Sequence, residues 1–390
     1  MSTGRDCDVV VVGAGPAGCS AAYELAGLGL RVIMLEKETI PRYKTCGGGI
    51  IGVTSRRIPA GWPRQSSIVR ASFTAQGRQP RLREATSVFM QTVDRAEFDQ
   101  WMAEAAVARG TELLSPATLK SANEFGGRVE ARLDSGRVIS ADYLIDASGA
   151  NSRCAHTLGV RLKRVDLGLE VELDNSANGS ASWDPGRIHI DWGEIPGSYG
   201  WVFPKENGLT VGVIAERRVG GQLEGYLGAL LRQQRLGHLP VVRRGGHLTR
   251  SRAADSPLGS ARVLLVGDSA GLLEPWTREG ISFAVRSGQL AARAVFATMT
   301  SGLRPIGALQ LYERYLELEI LPEMRAGLQA LEAFEKSPTV FHQVITSGLG
   351  WFQFQRMVRG DTTIARAASH PVVGAALAIM SKLPPKAPMP

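Results

Sequence analysis

The first strong pattern in the chain is Asp8-Val9-Val10-Val11-Val12, a block that is apolar at successive positions rather than at every second one. A short uninterrupted apolar run suits a strand buried on both faces of a parallel sheet. It enters Gly13-Ala14-Gly15-Pro16-Ala17-Gly18, after which Ala17 to Leu28 reads as a helix and Arg31 to Leu35 as a second apolar strand ending at Glu36. Two later segments repeat the pattern of a strand running into a small-residue turn: Ala141 to Arg153 (ADYLIDASGANSR) and Arg262 to Gly271 (RVLLVGDSAG). Between them, Asp166 to Leu173, Arg187 to Trp192, Tyr199 to Phe203 and Leu209 to Ala215 alternate apolar and polar residues, as strands of an inserted antiparallel sheet do. From Ile281 onward the pattern is helical, with apolar residues three and four apart in Leu309 to Leu321 and Ala326 to Phe334, and Pro322 kinks or divides that stretch.

These elements predict an α/β fold: a Rossmann-type parallel-sheet domain, an inserted antiparallel-sheet substrate domain and a C-terminal helical region. The expected boundaries are residues 1–160 and 245–300 for the discontinuous first domain, 161–244 with part of 50–95 for the second, and 301–390 for the helices. A length of 390 residues with 44% hydrophobic content is enough for one or two packed cores.

Composition narrows the classes. A net charge of +8 fits either a mildly basic surface or a preference for phosphates and anionic lipid, and no basic run resembles a nucleic-acid arm, so nucleic acid is not expected as a partner. Cys7, Cys19, Cys46 and Cys154 form neither a CxxC pair nor a Cys/His cluster, so no metal is expected and a reducing cytoplasm fits. No secretion signal opens the chain, and no apolar run reaches the roughly 20 residues of a membrane span. The apolar Val372 to Met380 segment, between Arg366 and Lys382, fits either a helix resting on a bilayer surface or one packed against the protein or a second subunit.

GxGxxG between a strand and a helix is a dinucleotide fingerprint. Gly13 allows the tight turn, Gly15 lets the backbone approach a pyrophosphate, and Gly18 lets the helix pack on the strand. Glu36 then suits a ribose-hydroxyl acceptor. Followed by Asp94-Arg95-Ala96-Glu97-Phe98-Asp99, DASGANSR, Gly267-Asp268-Ser269-Ala270-Gly271 and Gly280-Ile281, the series resembles FAD-dependent oxidoreductases of the glutathione-reductase-like and p-hydroxybenzoate-hydroxylase-like class. That resemblance implies FAD, with Asp268 on its ribityl chain and the Gly280-Ile281 helix start at the flavin pyrimidine edge. It further implies cofactor contacts from Pro16, Ala17, Lys37, Arg42, Arg95, Ala117 and Gly149.

Two more segments narrow the family. Pro41-Arg42-Tyr43-Lys44-Thr45-Cys46-Gly47-Gly48-Gly49-Ile50 resembles the PRxKxCGGG signature of geranylgeranyl reductases, and Tyr199-Gly200-Trp201-Val202-Phe203-Pro204-Lys205 resembles their YxWxFPK box. Such enzymes reduce carbon-carbon double bonds of isoprenoid chains. Gly47, Gly48 and Gly49 give a nearly side-chain-free surface for a flat ring, which would put Cys46 beside the flavin, although a free Cys is commonly just a small buried apolar residue. Tyr199, Trp201 and Phe203 would share one strand face, as a half-buried core or, as the resemblance implies, as the wall of an apolar substrate pocket. Thr277-Arg278-Glu279 departs from the family pattern, and Arg278 either binds a substrate phosphate or carboxylate, or points to solvent or pairs with Glu279.

Reducing an alkene needs a hydride equivalent and a proton, and Cys46 and Tyr199 are the candidate donors of the proton, with solvent as a third source. No second GxGxxG offers an NADPH domain, so either NADPH docks at the flavin or a reduced carrier protein delivers the electrons. Other classes remain on the same motifs: an FAD-dependent monooxygenase or ene-reductase of natural-product biosynthesis, or a flavin electron-transfer protein for quinone. A halogenase would need a lysine after the first βαβ unit, and residues 45–119 contain none.

Overall fold

The structure, a computed structural model, describes residues 5–176, 183–369 and Gly374. Strand β1 (Val9–Val12) is buried at all four positions because it lies inside a parallel sheet, between β2 (Val32–Leu35) and β12 (Tyr143–Asp146). The sheet order is β18-β12-β1-β2-β8, closed by β18 (Val263–Leu265) and β8 (Glu112–Leu114). All four strands read from the apolar runs are therefore in one sheet. Helix α1 (Pro16–Gly27) crosses its face and packs on α6 (Ile281–Thr300), where Gly288 allows the contact: a Cβ there would sit 2.2 Å from the Ala17 carbonyl oxygen. Helix α3 (Arg95–Ala108) starts at Asp94, whose side chain accepts from the Ala96 and Glu97 N–H groups, a cap of about 1 kcal/mol. A three-stranded antiparallel excursion, β9 (Leu119–Phe125), β10 (Arg128–Leu133) and β11 (Val138–Ala141), leads back into β12.

The second layer is a seven-stranded sheet, ordered β17-β13-β16-β15-β14-β5-β6. Its strands are β17 (Val241–Arg252), β13 (Leu162–Asp174), β16 (Gly208–Glu216), β15 (Tyr199–Pro204), β14 (Arg187–Trp192), β5 (Arg70–Ala75) and β6 (Arg78–Glu84). The sheet is antiparallel apart from β14, which runs parallel to β5. It continues past residue 245, because β17 pairs with β13 from Val241 to Arg252. A small sheet, β3 (Gly49–Ile51), β7 (Met90–Thr92) and β4 (Ser66–Ile68), joins the two layers.

One face of the large sheet buries Val171, Val211 and Val213 under α5 (Leu223–Gln233). The other carries Phe73, Trp192 and Trp201 against the C-terminal helices α8 (Leu321–Lys336), α9 (Pro338–Thr346), α10 (Gly348–Arg359) and α11 (Ile364–Ala368), while α7 (Ile306–Glu319) buries Ala308, Tyr312 and Leu316 in the core of the first layer. Pro322 divides rather than kinks: α7 ends and α8 begins around Ile320, with the proline in the first turn of α8, where its missing N–H costs nothing. The Val372–Met380 segment lies outside the described residues. Among those described, no helix is long and apolar enough to cross a membrane.

Candidate functional site

The β1–α1 turn is built by close backbone approach. Gly13 has φ +100°, and a Cβ on Gly18 would lie 1.8 Å from the Gly13 carbonyl oxygen, so helix and strand touch through glycine. Helix α1 begins at Gly15 and Pro16 with no side-chain cap, leaving its first N–H groups for an outside acceptor. Ala17 and Gly18 are buried in its first turns. At the end of β2, Glu36 accepts from the Ala14 and Glu38 N–H groups at 3.0 and 3.1 Å, while its backbone carbonyl accepts from the Ala117 N–H at 2.6 Å. Arg42 links Glu36 (3.2 Å) to Asp99 (3.1 Å), and Asp99 is held bidentately by Arg95 at 2.9 Å. Arg42 also reaches over Gly15, and Arg95 faces Cys46. Lys37, by contrast, is exposed beside Glu38, and the left-handed turn at Gly149 is open, with no atom within 4 Å of where its Cβ would be.

A cavity of about 300 Å³ lies between the seven-stranded sheet, the 45–49 segment, the start of α6 and the C-terminal helices. Its floor is Cys46 to Gly49, and one wall is Tyr199, Trp201 and Phe203, which the two-residue period of β15 puts on one face. The two motifs, about 150 residues apart in sequence, meet here. A Cβ on Gly47 would lie 3.0 Å from the Phe203 ring and 3.1 Å from the Trp201 indole nitrogen, and Lys205 Nζ donates to the Gly47 carbonyl (2.8 Å) and to that of Val93. Trp201 lies across Gly212 of β16, where a Cβ would come within 2.1 Å of the ring. Trp192 and Trp276, stacked 6.4 Å apart, and Phe354 and Met357 of α10 continue the apolar lining.

At the far side, Asp268 lies near His247 (3.7 Å), whose ring contacts Lys44 Nζ at 3.1 Å. Burial would raise the Asp268 carboxyl, but His247, Lys44 and Arg95 together hold it below its ordinary range. Gly280 and Ile281 lead into α6 on the cavity wall, with the Ser282 N–H donating to Glu279 at 2.7 Å. Burial pushes Glu279 up to about 7.

Arg278 lines the cavity and pairs with Asp166 rather than with solvent or Glu279. It is buried, its guanidinium contacts Asp166 at 3.4 Å, donates to the Trp276 and Gly197 carbonyls at 2.6 and 2.9 Å, and lies 5.6 Å from the Tyr199 ring centroid. Asp166 also receives Arg164, which ties in Glu335 of α8. Sequence reasoning missed this partner because Asp166 lies 112 residues away. Tyr199 donates its hydroxyl to the Thr277 carbonyl, and burial raises its phenol further above neutrality.

Sequence reasoning also passed over Glu170, His247 and Lys44. Glu170 lies on the same strand face as Asp166, Gly168 and Glu172, a polar alternation that reads as solvent-facing, yet this face turns inward and Glu170 is 1% exposed. Its Oε1 accepts from the Cys46 N–H at 3.1 Å, and its Oε2 is buried without a partner. Burial raises its carboxyl to about 7, against the pull of Lys205. Among the described residues no cluster of His, Cys, Asp and Glu could hold a metal ion.

The uncapped helix start, the glycine cradle and the acidic end of β2 fit a dinucleotide, and the comparisons name it. Residues 6–171 match the FAD binding domain family. The protein is an FAD-dependent oxidoreductase. Over 317 residues, 76% of each chain, it is 30% identical to the menaquinone reductase of Mycolicibacterium smegmatis, and over 311 residues, again 76% of each, 29% identical to the geranylgeranyl diphosphate reductase of Rhodobacter capsulatus. Its fold matches that of a geranylgeranyl bacteriochlorophyll reductase-like protein from Thermoplasma acidophilum with a TM-score of 0.80 at 21% identity, covering 96% of this chain and 99% of that one. The chain belongs to the geranylgeranyl reductase family of FAD-dependent oxidoreductases.

Proposed function

We propose that the chain reduces carbon-carbon double bonds in an isoprenoid or related polyunsaturated substrate. The observation that carries this reading is the meeting of the Cys46–Gly49 floor with the Tyr199, Trp201 and Phe203 wall in one apolar cavity. An unactivated alkene offers no charge to grip, so its reduction depends on water-free alignment against the cofactor, which such a slot provides. In this reading Gly13, Gly15, Pro16, Ala17 and Gly18 hold the FAD pyrophosphate, and Glu36 with Arg42 and Ala117 frames the adenosine end. Gly47 to Gly49, Arg95, Gly149, Asp268, Gly280 and Ile281 surround the ribityl chain and flavin. Bound FAD, once reduced, supplies a hydride equivalent. Cys46 lies at the floor where the alkene would rest, while Tyr199 orients the wall through Thr277. Lys37, turned to solvent, contributes charge at the rim. Electrons come from NADPH docking at the flavin or from a reduced carrier protein.

The relatives called menaquinone reductases favour a second substrate within the same chemistry, an isoprenoid chain carried on a quinone. The deciding assay is anaerobic: the dithionite-reduced protein is mixed with geranylgeranyl diphosphate or with menaquinone, and flavin reoxidation is followed with product mass. Mass gains in steps of two hydrogens support the reading and choose the substrate. Flavin that stays reduced until oxygen is admitted would favour oxygen-dependent chemistry, and reoxidation by quinone without saturation of its chain would favour electron transfer.

A further inference from the structure

A carboxyl that lines an apolar cavity with one oxygen anchored and the other unpartnered calls for an explanation, since buried polar atoms nearly always find a partner. Glu170 is such a group, and the architecture of the sheet keeps it so. Its neighbours across β16 and β17 are Gly212 and Gly245, neither of which has a side chain to offer it. Trp201 fills the space over Gly212 instead. The Cys46 N–H fixes Oε1, and Oε2 has no hydrogen-bond partner among the described residues. The charged groups that face it are Lys205 just after β15, Glu172 from its own strand and Arg95 from α3. Lys205 is engaged by the Gly47 and Val93 carbonyls, and Arg95 by Asp99, so neither is hydrogen-bonded to the free oxygen. An ionised carboxylate so placed would be costly, and a protonated one is stable with its O–H free for the cavity.

We propose that Glu170 is the acid of this site, its carboxyl holding the proton that is delivered to the double bond. The inference rests on the alkene-reductase reading above. For each bond saturated, the alkene takes a hydride equivalent from reduced FAD at one carbon and the Glu170 proton at the other. The Glu170 O–H bond breaks as the C–H bond forms, the carboxylate that remains is reprotonated from solvent, and FAD is left oxidised. The Cys46 N–H steadies the carboxylate at that moment. Burial that raises the carboxyl to about 7 makes it an acid that is loaded at neutral pH and still able to give up its proton.

Two measurements test this. Glu170→Gln keeps an acceptor for the Cys46 N–H and removes the acid; it is expected to retain FAD and to slow flavin reoxidation by the alkene by roughly 10²- to 10⁴-fold, with Glu170→Asp recovering part of the rate. Infrared titration of the chain without substrate is expected to show a carboxyl protonated at pH 6 that persists in Glu279→Gln and disappears in Glu170→Gln. A Glu170→Gln variant that reoxidises within threefold of wild type (roughly 0.65 kcal/mol in barrier) overturns the inference alone. If Glu170→Gln fails to fold, the infrared arm is read on Glu279→Gln, from which the other raised carboxyl of about 7 is gone, and the absence of any carboxyl protonated at pH 6 there overturns the inference as well. A wild type that leaves every isoprenoid alkene unreduced overturns the proposed function, and the inference falls with it.

Discussion

Replacing Asp166 by alanine tests whether the wall of the cavity is held by a buried ion network. Asp166 and the Arg278 side chain are each about 2% exposed, and Asp166 is shared between Arg278 at 3.4 Å and Arg164 at 2.7 Å. Asp166→Ala leaves two guanidinium groups near one another with Glu335, itself 30% exposed, as the remaining anion. Breaking a buried pair from one side costs about 3–5 kcal/mol. Arg278 keeps its bonds to the Trp276 and Gly197 carbonyls, and Arg164 keeps Glu335, so the lower end, about 3 kcal/mol, is expected. That is on the order of a 150-fold fall in the folded-to-unfolded ratio. Urea unfolding of the FAD-loaded protein measures it, and the double variant with Arg278→Met closes a cycle. Removing both charges should restore part of the loss, with a coupling of about 1–3 kcal/mol. A loss below about 1 kcal/mol for Asp166→Ala, or additive single effects, would refute the reasoning and return Arg278 to the candidates for binding a substrate anion.

Two further outcomes are expected. Asp268→Ala should purify with substoichiometric FAD, read from the ratio of flavin to protein absorbance; full occupancy would count against Asp268 as a ribityl contact. Glu279→Gln should change the pH dependence of stability: the unfolded carboxyl ionises near 4.5 and the folded one near 7, so the wild type loses stability as pH rises between those values, by on the order of 3 kcal/mol, and stays lower above 7. The variant should therefore gain on the wild type from pH 4.5 to 7, and a difference in unfolding free energy that is flat with pH would contradict the burial argument.

Much of the fold is legible in local pattern because local pattern is what a buried parallel strand imposes. Val9 to Val12, Val32 to Leu35 and Leu144 to Ile145 are apolar on both sides since both sides are covered. The strands β13 and β16 show their alternation because one face meets α5 and buries Val171, Leu173, Leu209, Val211, Val213 and Ala215. What local pattern does not record has the opposite cause. The parallel contact of β5 with β14 joins segments separated by more than 110 residues, and no two-residue period records whether a neighbour runs up or down. The run of β17 past 245 has a similar cause: Arg243, Arg244, Gly245 and Gly246 carry no apolar alternation, and pairing with β13 extends them. Glu170 and Asp166 carry the alternation of an exposed face and are buried by elements far away in sequence, the 43–47 segment and the turn before α6.

That inward polar face determines what the cavity can accept. Arg278 is committed to Asp166 and two carbonyls, Arg286 to the Glu319 carbonyl and Glu323, and Lys205 to the carbonyls of Gly47 and Val93. An anionic head group entering the cavity would have to displace one of these internal partners and lose its own hydration, a poor exchange beside Trp192, Trp201 and Phe354. An uncharged hydrocarbon faces no such penalty. The same desolvation raises Glu170 and Glu279 to about 7, so in the proposed function an apolar lining suited to an alkene would also load the acid proposed to protonate it. Phe354, Met357 and Ile364 of α10 and α11 line the slot in the region where the sequence motifs are weakest.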